Sequence, residues 1–179
     1  AFDAATVGRA TRYVVIRSDA GHPPEVEIVE VPNAAGRGPF GLRPMTAFNA
    51  EALAGIDVVE PEERWTEVDG RQVQGWFFPA RAAGAGPGRP APLVAEIHSG
   101  PHAYYGWTPM WEFQVLAGAG MSVYASNPRG SEGYGQDFNA ANFRDWAHGP
   151  ARDVLAGIEA LLADGLADPD RLGLTGGSY

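Results

Sequence analysis

Leu172-Gly173-Leu174-Thr175-Gly176-Gly177-Ser178-Tyr179 is the stretch that decides how this sequence is interpreted. A short apolar strand leads into a glycine pair and a serine. This order matches the first part of the G-x-S-x-G elbow, a tight strand-to-helix turn that exposes a nucleophilic serine hydroxyl. Gly176 takes the first glycine position and Ser178 the serine position. An ordinary glycine turn after a strand would also account for these residues.

The residues before this stretch alternate between short apolar strands and helical segments. Residues 93–97, 122–125 and 172–175 read as strands, and residues 111–117 read as a helix that ends in glycines. A second helix is predicted to begin near Gly149-Pro150, with apolar residues on one face: Val154, Leu155, Ile158, Leu161 and Leu162. Asp168-Pro169-Asp170 is expected to turn the chain into the last strand. This alternation predicts an α/β fold with a largely parallel sheet.

Two β hairpins are predicted upstream of that alternation. Residues 11–17 and 25–31 are β-branched and aromatic runs on either side of a turn-forming loop. Residues 64–68 and 72–78 flank Asp69-Gly70, a strong two-residue turn signal. Residues 33–44 and 82–92 are rich in Gly, Ala and Pro and are predicted to be loops, and residues 48–56 a short helix or turn. We therefore expect one β unit over residues 1–50, a linker over 51–63, and an α/β domain over 64–179.

Charge and composition exclude several classes of function. The net charge is −9, from 13 basic and 22 acidic residues, which argues against a nucleic-acid-binding face. There is no cysteine, so neither a disulfide framework nor a thiolate zinc site is expected, and this favours a cytoplasmic location. No stretch has the apolar length of a membrane span. The sequence lacks an initiator Met and stops inside a motif, so we expect a piece of a longer polypeptide.

Ser178 is the leading candidate for a catalytic residue. A serine hydroxyl becomes a good nucleophile only when a base takes its proton, and that base is usually a histidine held by a carboxylate. In α/β-hydrolases both partners follow the serine in the chain. His22, His98, His102 and His148 all precede it. We therefore expect this chain by itself to lack a complete triad.

The loop after the 93–97 strand is the candidate oxyanion site. Ligand sites of α/β sheets lie where strands end, and one oxyanion donor of α/β-hydrolases comes from such a loop. The backbone N–H groups of Gly100 and Tyr179 are the predicted donors. A Gly-Pro turn beside a buried, hydrogen-bonded His98 is the alternative. His98 and His102 are four residues apart, but Gly100-Pro101 prevents the helix that a metal pair would need, so neither a metal nor a cofactor is predicted.

A second loop, residues 127–135, follows the next strand. Arg129 within it is either an anchor for a carboxylate, the interpretation we favour, or a contact with the substrate. His98, Arg129 and Tyr134 are the candidate substrate contacts. The nearby aromatic residues would either wall a pocket or pack in the core: Tyr104, Tyr105, Trp107 and Trp111.

In combination, these motifs resemble the prolyl oligopeptidase family of serine peptidases, and the acylaminoacyl-peptidase-like branch most closely. The resemblance covers residues 60–179. Ser99 departs from the family's usual His-Gly-Gly-Pro, whereas the oxyanion position remains glycine. The matching residues are His98-Ser99-Gly100-Pro101, Asn127-Pro128-Arg129-Gly130-Ser131, Gly133-Tyr134-Gly135, Asp153-Val154, Asp168-Pro169-Asp170-Arg171 and Gly176-Gly177-Ser178-Tyr179.

The resemblance implies the N-terminal half of an α/β-hydrolase domain, preceded by the last strands of a β-propeller. It implies hydrolysis of short peptides through an acyl-enzyme on Ser178. The expected partners are a peptide substrate, the rest of the same polypeptide and further copies in a homo-oligomer, without nucleic acid or membrane. Two alternatives stay open: an esterase or lipase-like hydrolase without a propeller, and a catalytically silent fragment that lacks the aspartate and histidine.

Overall fold

The structure is a computed structural model that describes residues 3–7, 10–32, 41–81 and 90–178. It divides into two compact units: Ala1–Val58 with Trp107–Pro109, and Val59–Gly106 with Met110–Tyr179. The division after Val58 lies within the predicted linker of residues 51–63. The limits of 50 and 64 for the flanking domains stay predictions.

The first unit contains a four-stranded antiparallel sheet in chain order. Its strands are β1 (Asp3–Val7), β2 (Ala10–Arg17), β3 (Glu25–Pro32) and β4 (Gly41–Pro44), and a short helix α1 (Ala50–Leu53) follows. The β2–β3 pairing confirms the first predicted hairpin. The loop predicted over residues 33–44 is wrong for 41–44, which pair with β3, because an edge strand tolerates glycine and proline. Residues 33–40 lie outside the described residues.

The second unit contains a five-stranded sheet with the order β5-β6-β8-β7-β9. Its elements are β5 (Glu62–Val68), β6 (Arg71–Phe78), β7 (Ala91–Ile97), α2 (Trp111–Gly118), β8 (Ser122–Ser126), α3 (Gln136–Asn139), a 3₁₀ turn (Ala140–Asn142), α4 (His148–Ala163) and β9 (Ala167–Gly176).

The three strands from which a largely parallel sheet was predicted are parallel to one another, but the whole sheet of the second unit is mixed, because the β5–β6 hairpin joins it. β7 runs parallel to both of its neighbours, β8 and β9. β5 and β6 form the predicted hairpin around Asp69-Gly70, and β6 joins the same sheet by pairing antiparallel with β8. The α/β class itself is confirmed.

Three local boundaries also differ from the predictions. β9 already begins at Ala167, so Asp168-Pro169-Asp170 lies in an extended strand and not in a turn. The pairing of β9 with β7 shifts register between Ala91 and Leu93. This shift accommodates residues 168–171 of β9, which lie opposite a single residue of β7. α4 begins at His148, one residue before the predicted start. The predicted loop over 82–92 ends early because Ala91 and Pro92 belong to β7, and residues 82–89 lie outside the described part.

Helices α2 and α4 cover opposite faces of this sheet. Neighbouring residues of a strand point to opposite faces, and Trp76 packs with Phe113 of α2 whereas Phe77 packs with Leu161 of α4. The two faces therefore carry separate apolar cores. Among the described helices, none combines the length and the apolar character that crossing a membrane requires.

Candidate active site

The end of β9 forms a sharp turn that exposes Ser178. Gly176 lies opposite Ile97 in the sheet, and a Cβ at position 176 would lie 2.6 Å from the Ile97 carbonyl oxygen. Only glycine therefore fits beside β7 at this point. Ser178 is exposed and has a φ of +70°, a left-handed conformation that is uncommon for serine. A strained backbone at the serine is typical of a nucleophile elbow.

Parallel pairing brings the predicted loops to one edge of the sheet. The carboxyl ends of β8, β7 and β9 point the same way because β7 is parallel to both neighbours. The loop with Arg129 follows β8, the loop with Gly100 follows β7, and the turn with Ser178 follows β9. Tyr179, the second predicted oxyanion donor, lies outside the described residues.

Gly100 lies at a tight turn of the loop after β7. Its φ is +133°, which favours glycine, and a Cβ there would lie 2.7 Å from the backbone nitrogen of His102. The residue is exposed, as is its neighbour Ser99. The turn therefore leaves this part of the backbone open to a ligand.

His98 is a buried imidazole that bridges two loops. Its Nδ1 lies 2.7 Å from the Ser99 carbonyl oxygen, and its Nε2 lies 2.9 Å from Ser131 Oγ in the loop after β8. The ring also packs edge-on against Tyr105. Burial lowers the pKa of His98, which favours the neutral imidazole.

Arg129 binds two carboxylates from distant parts of the chain. Its guanidinium holds Asp153 of α4 through Nε at 2.9 Å and a terminal nitrogen at 2.6 Å, and its backbone N–H also donates to Asp153 at 2.7 Å. The same guanidinium reaches Asp69, at the tip of the β5–β6 hairpin, at 2.8 Å. The hydrogen bonds to Asp153 hold the pKa of Arg129 above its ordinary value.

Tyr134 is held by two amides. Its hydroxyl accepts a hydrogen bond from Asn127 Nδ2 and donates one to Gln74 Oε1, both at 2.5 Å. Asn127 also exchanges two 2.8 Å hydrogen bonds with the backbone of Tyr105. The roles of His98, Arg129 and Tyr134 as substrate contacts stay predictions.

Sequence reasoning did not identify Asn127, Ser131 and Asp153 as the residues that hold these loops. All three are buried and polar, and each bonds a segment distant in the sequence. Only Asp153 could have been recognised from the sequence. It is an acidic residue next to Val154, at the apolar face of α4, and a buried acid needs a partner. Asn127 and Ser131 lie in a loop whose composition does not predict burial.

Residues 107–179 match the family model described as the prolyl oligopeptidase family. The predicted resemblance to that family is confirmed. An uncharacterized peptidase, YuxL, of Bacillus subtilis is 42% identical over 138 residues, which are 75% of this chain and 20% of that protein. Dipeptidyl-peptidase 5 of Schizosaccharomyces pombe is 30% identical over 133 residues, 72% of this chain and 19% of that protein.

A solved structure is similar over nearly the whole chain. The acylaminoacyl peptidase of Pyrococcus horikoshii, in its orthorhombic crystal form, superposes with a TM-score of 0.77 at 26% sequence identity, covering 98% of this chain and 26% of its own. The chain thus spans about a fifth to a quarter of the length of these proteins. Each of the three is a peptidase by its name.

Proposed function

We propose that the protein carrying this chain is a serine peptidase that hydrolyses short peptides through an acyl-enzyme on Ser178. The observation that carries the proposal is the left-handed Ser178 at the end of β9, beside the strand whose following loop contains Gly100. The peptidases among the relatives support the same class of reaction.

The proposed reaction has two steps. Ser178 Oγ attacks the scissile carbonyl carbon while a histidine base takes the hydroxyl proton, and that proton then leaves with the amine product. Water hydrolyses the acyl-serine in the second step and restores the hydroxyl. The backbone N–H groups of Gly100 and Tyr179 would stabilise the negative oxygen that forms in each step. By the order of α/β-hydrolases, the base and its aspartate follow Ser178.

The domain organisation is part of the proposal. Four-stranded antiparallel sheets are the blades of β-propellers, and β1–β4 form such a sheet. We therefore assign residues 1–50 to the last strands of a propeller, residues 51–63 to a linker, and residues 64–179 to the first part of a hydrolase domain. A propeller before the active site would admit short peptides and exclude folded proteins.

Labelling with a fluorophosphonate probe tests this proposal. We expect the intact, full-length protein to be modified at Ser178, and the Ser178→Ala variant to remain unlabelled. Peptide turnover should be lost in the same variant. An intact, folded protein without modification at Ser178 would contradict the proposal.

Residues 1–179 assayed alone provide a second test. We expect no hydrolysis of peptide or ester substrates, because the proposed base is supplied from elsewhere in the polypeptide. Turnover by this segment that disappears in Ser178→Ala would show that the base lies within it.

A further inference from the structure

A pocket of about 360 Å³ lies between the β5–β6 hairpin and helix α3. Its volume is within the range of about 300–1,000 Å³ that is usual for small-molecule sites in proteins. Three aromatic and three polar side chains line it: Trp65, Tyr134, Phe138, Arg71, Gln72 and Asp137. The wall of the pocket therefore combines aromatic surface with one cation and one carboxylate.

Trp65 has an exposure of 50%, yet its indole ring is fixed by its neighbours. The indole N–H donates to Glu63 Oε1 at 3.1 Å, and the amide of Gln74 donates to the same oxygen. The ring also packs edge-on against Tyr134, with 6.3 Å between the ring centres, and Tyr134 packs at 4.9 Å against buried Phe138. An aromatic face that is ordered before binding loses little freedom when a ligand packs on it.

The two charged groups of the pocket have no partner of opposite charge within the described part of the chain. Arg71 donates one long hydrogen bond of 3.4 Å, to the carbonyl oxygen of Asp69, and Asp137 is exposed. The nearby cations Arg129 and Arg152 both pair with the Asp69 carboxylate. The pocket thus offers a cation and a carboxylate that can each bind a charged group of a ligand.

We propose that this pocket binds a free amino acid with an aromatic side chain. Arg71 pairs with the α-carboxylate of the ligand, Asp137 pairs with its α-ammonium group, and its ring packs on Trp65. A neutral sugar ring would use neither charge, and neither would an internal segment of a peptide. The inference goes beyond the proposed hydrolysis and does not depend on it, because neither Ser178 nor Gly100 lines the pocket.

Calorimetric titration of the full-length protein with L-tryptophan tests the inference. We expect one molecule to bind to each chain. N-acetyl-L-tryptophan lacks the ammonium group and L-tryptophan amide lacks the carboxylate, so each should bind about 5-fold more weakly. Absence of binding by L-tryptophan, equal affinity of either analogue, or binding of glucose in place of the amino acid would overturn the inference.

Substitutions in the pocket test which side chains hold the ligand. Trp65→Ala should weaken the binding of L-tryptophan about 10-fold, because the ring contact is lost. Arg71→Gln and Asp137→Asn should each weaken it about 5-fold. Arg144→Gln and Asp170→Asn, at exposed positions outside the pocket, are the matched controls and should retain the wild-type Kd. Circular dichroism and thermal melts establish that each variant is folded, and a folded Trp65→Ala variant with the wild-type Kd would overturn the inference.

The Ser178→Ala variant distinguishes this pocket from the proposed catalytic site. It should bind L-tryptophan with the wild-type Kd, and loss of binding in this variant would overturn the inference by placing the amino acid at Ser178. Failure of Ser178 to react with a fluorophosphonate would overturn the serine-peptidase proposal and leave the titration result unchanged. The two failures are therefore distinguishable.

Discussion

The Arg129 guanidinium is buried, with an exposure of 6%, and its partner Asp153 has an exposure of 0%. Charges removed from water in this way are tolerated only when their hydrogen bonds are satisfied, and here a two-point pairing satisfies them. The pair links α4 to the loop after β8. This geometry is that of the carboxylate anchor favoured from the sequence.

Removing Asp153 should destabilise the protein strongly. Asp153→Ala leaves a buried cation without its main partner, and breaking such a pair costs about 3–5 kcal/mol in the free energy of unfolding. Arg152→Ala is the control, because half-exposed Arg152 also pairs with Asp69 but should change stability by about 1 kcal/mol or less. Urea denaturation of both variants measures the difference, and equal losses would contradict the buried-pair argument.

Glu96 is a buried acid on β7. Burial raises the pKa of this carboxyl, and the charge of Glu112 raises it further. Its Oε1 has no hydrogen-bond partner among the described residues. The ionised form is therefore costly in the folded state.

The pH dependence of stability follows from the raised pKa of Glu96. The stability associated with the neutral carboxyl is fully present below the ordinary pKa of 4.5 and is lost as the pH rises through the folded-state pKa. Glu96→Gln should therefore raise the free energy of unfolding at pH 8 by about 1 kcal/mol relative to wild type. Thermal melts should show this as a higher melting temperature at pH 8, with a smaller difference at pH 4. Exposed Glu159→Gln is the control. A constant difference at both pH values would contradict the prediction.

At the scale of elements, α4 lies very close to the sheet at Gly157. A Cβ at this position would lie 2.0 Å from the hydroxyl oxygen and 2.4 Å from the ring of Tyr124 on β8. Gly75 on β6 contacts the same ring from another side. The two glycines thus make room for Tyr124 between the helix and the sheet.

Gly157→Ala should destabilise the protein although alanine favours helices. The gain in helix propensity is about 1 kcal/mol, whereas overpacking a core costs about 1–3 kcal/mol and here forces the helix off a buried ring. Gly118→Ala, at the end of α2 with open space around the position, is the matched control and should be neutral or stabilising. Thermal unfolding of both variants compares them. A stabilised Gly157→Ala would show that α4 can shift without loss.

At the scale of the second unit, an apolar cavity of about 320 Å³ lies beside α4. Residues of α4, β7 and β9 line it, among them Leu155, Ile97 and Leu174. Leu174 has an exposure of 70%, and β9 pairs only with β7 among the described strands. Exposed apolar surface of this kind is typical of a face that binds another part of a protein.

Residues 1–179 produced alone should therefore bind the dye ANS. A variant with both Leu155→Gln and Leu174→Thr should lower the fluorescence increase, because these side chains supply apolar surface to the cavity. Val115→Gln on α2 is the control, since Val115 is equally exposed but does not line the cavity. If ANS fluorescence does not rise with the wild-type segment, the cavity is not an accessible apolar surface.

Much of the fold could be predicted from local signals. Asp69-Gly70 marks its hairpin, and the glycines before Ser178 mark the turn after β9, because turn chemistry depends on the residues in the turn itself. Asp168-Pro169-Asp170 shows the limit of such signals. The composition predicts a turn, yet the segment lies within β9, at the point where the pairing of β9 with β7 shifts register.

The sequence by itself determined the two predicted hairpins, the alternation of strands and helices, the serine elbow and the resemblance to the prolyl oligopeptidase family. Each of these depends on residues that lie close together in the chain. Only the tertiary structure decided that β7 lies between β8 and β9, that the β5–β6 hairpin joins their sheet, and that His98 and Ser131 meet. The physical reason is that strand order and buried polar pairs depend on which distant faces pack together. No local pattern specifies that choice.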